Sequence, residues 1–147
     1  MTKKRTPFIH HIELNVTDIK RSVAFYDPIL TWLGFRSSRN RLWVNDNLLI
    51  CIRRKTVNQE RLIEGAGLHH LAFGVETREE VDDFYNEVLI KIDGARIKSP
   101  PKYCPEFKYK TYYATYFDDP DGTYLEVVYS DPISAKRYSG YYDYKRK

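Results

Sequence analysis

The strongest constraint on this chain is an internal repeat. His11-Ile-Glu-Leu-Asn-Val16 returns as His70-Leu-Ala-Phe-Gly-Val75, so each copy reads His-x-x-x-x-Val, with 59 positions from one histidine to the other. Each copy leads through a polar turn into a helical pattern that closes on an aromatic pair, Ser22-Val-Ala-Phe25-Tyr26 in the first and Val81-Asp-Asp-Phe84-Tyr85 in the second. Similarity held over a whole supersecondary unit implies a duplicated fold.

The elements follow from local signals. Asp18 can cap a helix whose apolar positions Val23, Tyr26, Ile29, Leu30 and Leu33 recur at threes and fours, with Gly34 as the stop. Pro28 removes one helical hydrogen bond, which predicts a kink or two short pieces. In the second copy Thr77-Arg-Glu-Glu80 has the form of a capping box, and Val81, Phe84, Tyr85 and Val88 make the buried stripe.

Segments rich in β-branched and aromatic residues come next, 41–44 and 48–52 in the first half, 112–117 and 123–129 in the second. Asn45-Asp-Asn47 and Asp118-Asp-Pro-Asp-Gly122 supply the turns between them. The expectation is one α+β domain over residues 1–147, made of two βαβββ modules at 8–56 and 67–130 that form a cupped, mostly antiparallel sheet. Residues 56–67 read as the linker, 98–110 with three prolines as a loop over a site, and 131–147 as a Tyr-rich basic tail.

Composition narrows the function classes. At 147 residues, 42% hydrophobic and 30% charged, the chain can bury a real core without staples. Cys51 and Cys104 have no Cys-x-x-Cys spacing and read as reduced thiols. No apolar run spans a bilayer and no hydrophobic stretch follows the basic N-terminal residues, so the expected setting is cytoplasmic, away from membrane. The net charge of +4 lies largely in short runs at residues 3–5, 53–55 and 145–147, which is solvated charge and gives no nucleic-acid footprint. Tyr138, Tyr141, Tyr142 and Tyr144 of the tail fit packing against the protein better than base stacking.

Strand alternation sorts the polar residues. Ile12, Leu14 and Val16 belong against the helix, which leaves His11, Glu13 and Asn15 on the other face; the same count leaves His70, Ala72 and Gly74 opposite Leu71, Phe73 and Val75. His10 and His69 alternate onto the opposite side and read as packing or capping residues. In the closing strand Glu126 sits among apolar neighbours, an expensive position for an unpaired carboxylate. A divalent ion resolves that cost, because two neutral imidazoles and a carboxylate form a three-ligand set with open positions.

His11 through Asp18, Ala24-Phe-Tyr26, Leu33-Gly-Phe35, His70-Leu-Ala-Phe, and Asp119-Pro-Asp-Gly122 with Leu125-Glu126 together resemble the vicinal oxygen chelate superfamily of glyoxalases, bleomycin-resistance proteins and extradiol dioxygenases. The resemblance implies a glyoxalase-like fold, a homodimer, and one divalent metal (Mn, Fe, Zn or Ni) on His11, His70 and Glu126. Glyoxalase I and methylmalonyl-CoA epimerase of that superfamily carry a fourth ligand in the first module's last strand, where this chain offers Leu48-Leu-Ile50, with Leu49 as the position read from this sequence. That residue cannot bind metal, which disfavours a four-ligand glyoxalase I. The three-ligand set is similar to that of extradiol dioxygenases and of fosfomycin-resistance enzymes. Tyr116 matches the active-site tyrosine of the latter and Glu13 takes the place of a threonine, which makes these two the candidate catalytic residues. A carboxylate there, with Ala114 in place of a serine, disfavours a phosphonate. The leading expectation is an enzyme acting on a small oxygen-rich molecule that chelates the metal; the alternative is a non-catalytic sequestering protein of the bleomycin-resistance type.

Overall fold

The computed structural model describes residues 9–38, 41–54, 67–104 and 111–130. The elements run β1 (His11–Val16), α1 (Ile19–Trp32), β2 (Arg36–Ser38), β3 (Leu42–Val44) and β4 (Leu49–Arg54), then β5 (Leu71–Val75), α2 (Arg78–Glu87), β6 (Arg96–Tyr103), β7 (Tyr113–Asp118) and β8 (Tyr124–Tyr129). Two βαβββ modules therefore make two mixed four-stranded sheets, ordered β1-β4-β3-β2 and β5-β8-β7-β6. In each sheet the first strand of the module pairs in parallel with the last, and the other pairs are antiparallel.

The helix signals act where the sequence puts them. The Asp18 carboxylate accepts from the Arg21 N–H at 3.0 Å and starts α1. At the other end Gly34 has φ 83°, and the Phe35 and Gly34 N–H groups donate to Leu30 and Thr31, the paired bonds of a Schellman cap. The helix runs as one piece across Pro28, contrary to a split. Its buried face of Phe25, Tyr26, Ile29 and Leu30 brackets the proline, so packing holds the segment that the missing backbone bond would release. Thr77 and Glu80 form the expected capping box at α2.

Two strand assignments differ from expectation. β2 precedes the segment expected to start at residue 41, and β6 occupies residues expected to be loop. β6 lies at the edge of its sheet, where Pro100 and Pro101 need give no ladder donor, and the register slips between Ser99 and Lys102 where the prolines fall. Residues 105–110 of the expected loop, nearly all of the linker and the whole Tyr-rich tail lie outside the described residues.

One core serves both modules. Phe25 of α1 approaches Phe117 of β7 at 6.3 Å between ring centroids, Phe84 of α2 approaches the same ring at 5.8 Å, and Trp32 stands edge-on to Phe84 at 5.4 Å. The Asp-Pro-Asp-Gly turn joins the halves further, since Asp121 takes an ion pair from Arg21 at 2.7 Å and a bond from the Thr17 N–H at 3.0 Å. Val16, Ile50, Phe73, Leu125 and Val127 lie in this shared core, and His11 opens β1 as an exposed residue. Among the described residues no helix is long and apolar enough to cross a membrane.

Candidate metal centre

β8 fixes the key carboxylate. Leu125 and Val127 are fully buried in the core, so Glu126 turns to the other face, yet it too is only 1% exposed. Tyr112 donates its hydroxyl to Oε1 at 2.7 Å. Among the described residues Oε2 has no hydrogen-bond partner, although Nε2 of His70 stands 3.1 Å from it. The contact is an ion pair only if the imidazole is protonated, and it is not aligned as a hydrogen bond.

A bare, buried carboxylate oxygen calls for an explanation. Two adjacent ligands at about 2.1 Å from a common ion lie roughly 2.9–3.4 Å apart, and they aim at that ion and not at each other. The 3.1 Å between His70 Nε2 and Glu126 Oε2 meets the first condition, so this pair fits two adjacent positions around a divalent metal.

Aromatic rings wall this pair. Tyr116, directly across from Glu126 in the β7–β8 ladder, stacks on Tyr124 at 5.8 Å, and Tyr124 stands edge-on to the His70 ring at 5.7 Å. Burial pushes the Tyr116 phenol far up, helped by its 3.5 Å contact with the buried Cys104 thiol and by the nearby Glu126 charge. Tyr124 is raised by burial first and Glu126 second. Both phenols stay protonated at neutral pH and can serve as hydrogen-bond donors.

The other expected residues lie on the first sheet. His11 opens β1 on the exposed face, away from the shared core. Glu13 accepts from Arg53 at 2.8 Å and from the Cys51 thiol at 3.5 Å. The structure thus joins His70 with Glu126 and sets Tyr116 beside them, but it does not bring His11 to them within one chain. Among the described residues no group of three or more His, Cys, Asp or Glu side chains is placed to hold a metal.

Register corrects one assignment. His11 pairs with Leu49 and Glu13 with Cys51, while Leu71 pairs with Leu125 and Ala72 with Glu126. Glu13 corresponds to Ala72 in the repeat, so the first-module counterpart of Glu126 is Cys51, two residues beyond Leu49. A thiol can bind metal, and the argument that set aside a four-ligand site no longer holds. Burial, then Glu13, raises the Cys51 thiol.

The doublet histidines need a second correction. His69 does not face away from His70: their Nδ1 atoms lie 2.8 Å apart with the rings edge to face. His10 and His11 make the same contact at 3.0 Å. The described ladder of the second sheet begins only at Leu71, so strand alternation does not bind the two residues before it.

Residues 8–127 match the Glyoxalase/Bleomycin resistance protein/Dioxygenase superfamily, and the chain belongs to it. Over 127 residues it is 29% identical to the uncharacterized protein YqjT of Bacillus subtilis (strain 168), covering 82% of this chain and 97% of that one. A candidate glyoxalase from Bacillus halodurans has a similar structure, with TM-score 0.64, 26% identity and 82% and 94% of the two chains covered. A glyoxylase/bleomycin resistance protein/dioxygenase domain from Frankia sp. EAN1pec shares the fold at TM-score 0.63 and 23% identity, covering 86% of this chain and all of the other.

Proposed function

We propose that this chain is a divalent-metal-dependent enzyme of its superfamily, acting on a small molecule with neighbouring oxygens, and that His70 and Glu126 of one copy and His11 of a second hold the ion. The carrying observation is the bare Oε2 of a carboxylate only 1% exposed, beside the His70 ring. The second copy is supported by the sheet orders, which leave both β1 and β5 as edge strands. It is also supported by Ile9 and Leu68, which occupy equivalent places before the histidine doublets and are 67% and 71% exposed.

A bound ion in such a site supplies Lewis acidity toward the substrate oxygens. This chain's own residues do the rest. Tyr112 fixes the Glu126 carboxylate through Oε1. Tyr116 and Tyr124 form an aromatic wall that excludes water from one side, and the protonated Tyr116 hydroxyl donates to a substrate oxygen. Glu13, fixed by Arg53, is the carboxylate that takes a proton from the substrate on the wall supplied by the other copy.

Metal analysis and calorimetric titration of protein purified without chelator or histidine tag test this reading. One Mn(II) or Zn(II) per chain, bound by a species of dimer mass in light scattering, is the expected outcome. Protein that takes up neither ion would sink it.

A further inference from the structure

Part of the basic run at residues 53–55 meets more than solvent. Arg41, Leu42, Cys51, Ile52, Arg53 and Arg54 line one open cavity of about 410 Å³ at the end of β4 that runs on past β3. The Ile52 N–H donates to the Arg41 carbonyl at 3.1 Å, so backbone pairing brings three arginines to one strand end. The volume is that of a small-molecule site.

The fold does not require cations there. Arg54 pairs with Val16 where Tyr129 pairs with Val75, so Arg53 corresponds to Val128 in the second module. Leu42 pairs with Cys51 where Tyr116 pairs with Glu126, so Arg41 corresponds to Thr115. None of the three counterparts is charged, and that module folds on the same plan.

Guanidinium groups gathered at one cavity repel one another, a cost that an anion would remove. Among the described residues only Arg53 of the three forms an ion pair, with Glu13 at 2.8 Å. Three positive charges against one negative leave a surplus of two, and a concave wall focuses the field of such a surplus. A phosphate monoester brings about −1.5 to −2 charge and three acceptor oxygens, which guanidinium forks match in shape as well as in sign.

We propose that this cavity is an anion subsite in which Arg41, Arg53 and Arg54 hold a phosphate monoester group of a small-molecule substrate. Cys51 and Arg53 line the cavity and also touch Glu13, at 3.5 Å and 2.8 Å, so the rest of such a molecule lies beside that carboxylate. The substrate role rests on the function proposed above; anion binding at the cavity does not.

Arginine side-chain NMR of the full chain tests the subsite without a metal. Divalent ions are stripped first, so that phosphate has none to bind. Added inorganic phosphate should shift the Nε–H signals of Arg41, Arg53 and Arg54 together and saturably, and acetate at equal concentration should not. Arg41→Gln and Arg54→Gln should each weaken phosphate binding about 5-fold, as suits a charge-assisted contact that is partly exposed. Arg36→Gln removes the same charge from β2, where the side chain is 79% exposed and stands 4.0 Å from Asp46; it should weaken binding less than about 2-fold. Without phosphate, the thermal midpoints of these variants should not fall below that of the wild type. No saturable shift, equal binding of acetate, or equal losses in Arg36→Gln and Arg54→Gln would overturn the anion subsite. Phosphate binding by a protein that takes up neither Mn(II) nor Zn(II) would uphold the subsite and remove its link to a metal-dependent reaction.

Discussion

The Tyr26 hydroxyl donates to Asp119 Oδ2 over 2.8 Å inside the protein, joining the first helix to the turn before β8. Asp119 is 1% exposed, and its Oδ1 accepts from the Asp121 and Thr123 N–H groups. One side chain thus shapes the Asp-Pro-Asp-Gly turn and ties it to the other module. It sets where β8 begins, and thereby the position of Glu126.

Tyr26→Phe removes only the donor and leaves a buried carboxylate oxygen short of a partner. Leaving such a group unsatisfied costs about 1–3 kcal/mol or more. Urea unfolding should show a lower midpoint at unchanged slope. An unchanged midpoint would mean that this bond does not join the modules as described.

Glu126→Gln removes the only carboxylate of the proposed ligand set. Zinc or manganese affinity should fall at least about 10-fold, because an amide supplies neither the charge nor the donor strength. The metal-free protein should be no less stable, since an amide is cheaper to bury than a carboxylate. Unchanged affinity in calorimetry would place the site elsewhere.

Complementation tests the shared site. His11→Ala and Glu126→Gln chains should each bind metal poorly. In a mixed dimer, one site regains both His11 and Glu126. After exchange of subunits, random pairing restores about a quarter of the wild-type sites. A mixture that binds no more than its separate components would rule out sharing between copies.

Tyr113 supplies a pH-dependent stability. Burial, followed by its 2.8 Å hydrogen bond to Asp82, pushes its phenol up to about 12 from 10.0. The folded state therefore holds this proton more tightly than the unfolded chain. Its contribution is complete below pH 10 and disappears as pH rises to about 12. Tyr113→Phe should flatten the denaturant midpoint against pH in that window; an equally steep fall in the variant would assign the effect to another group.

The repeat made the duplicated fold legible, because a histidine, a valine and an aromatic pair recur at matching places in both copies. Glu126 stood out because the cost of burying a carboxylate is local, and the repeat pointed to His70, which stands 3.1 Å from it. β6 was hidden by Pro100 and Pro101, which read as loop unless the strand is known to lie at a sheet edge, a fact set by long-range pairing. Cys51 was missed in favour of Leu49 because register between β1 and β4 cannot be counted along the chain. His69 was misplaced because alternation was extended past the end of the ladder, and Tyr112 was overlooked because its partner lies 14 residues away on β8.

The run of rings from Phe25 through Phe117 to Phe84 gives the two repeats a common fate in unfolding. Neither half retains an apolar face of its own that is complete, so neither should persist as a separate cooperative unit. Cutting the backbone between residues 54 and 67 would leave two fragments that stay associated and melt in one transition. Amide exchange should report one global opening for β4 and β8 alike. The ancestral duplication has become, in energetic terms, a single indivisible body.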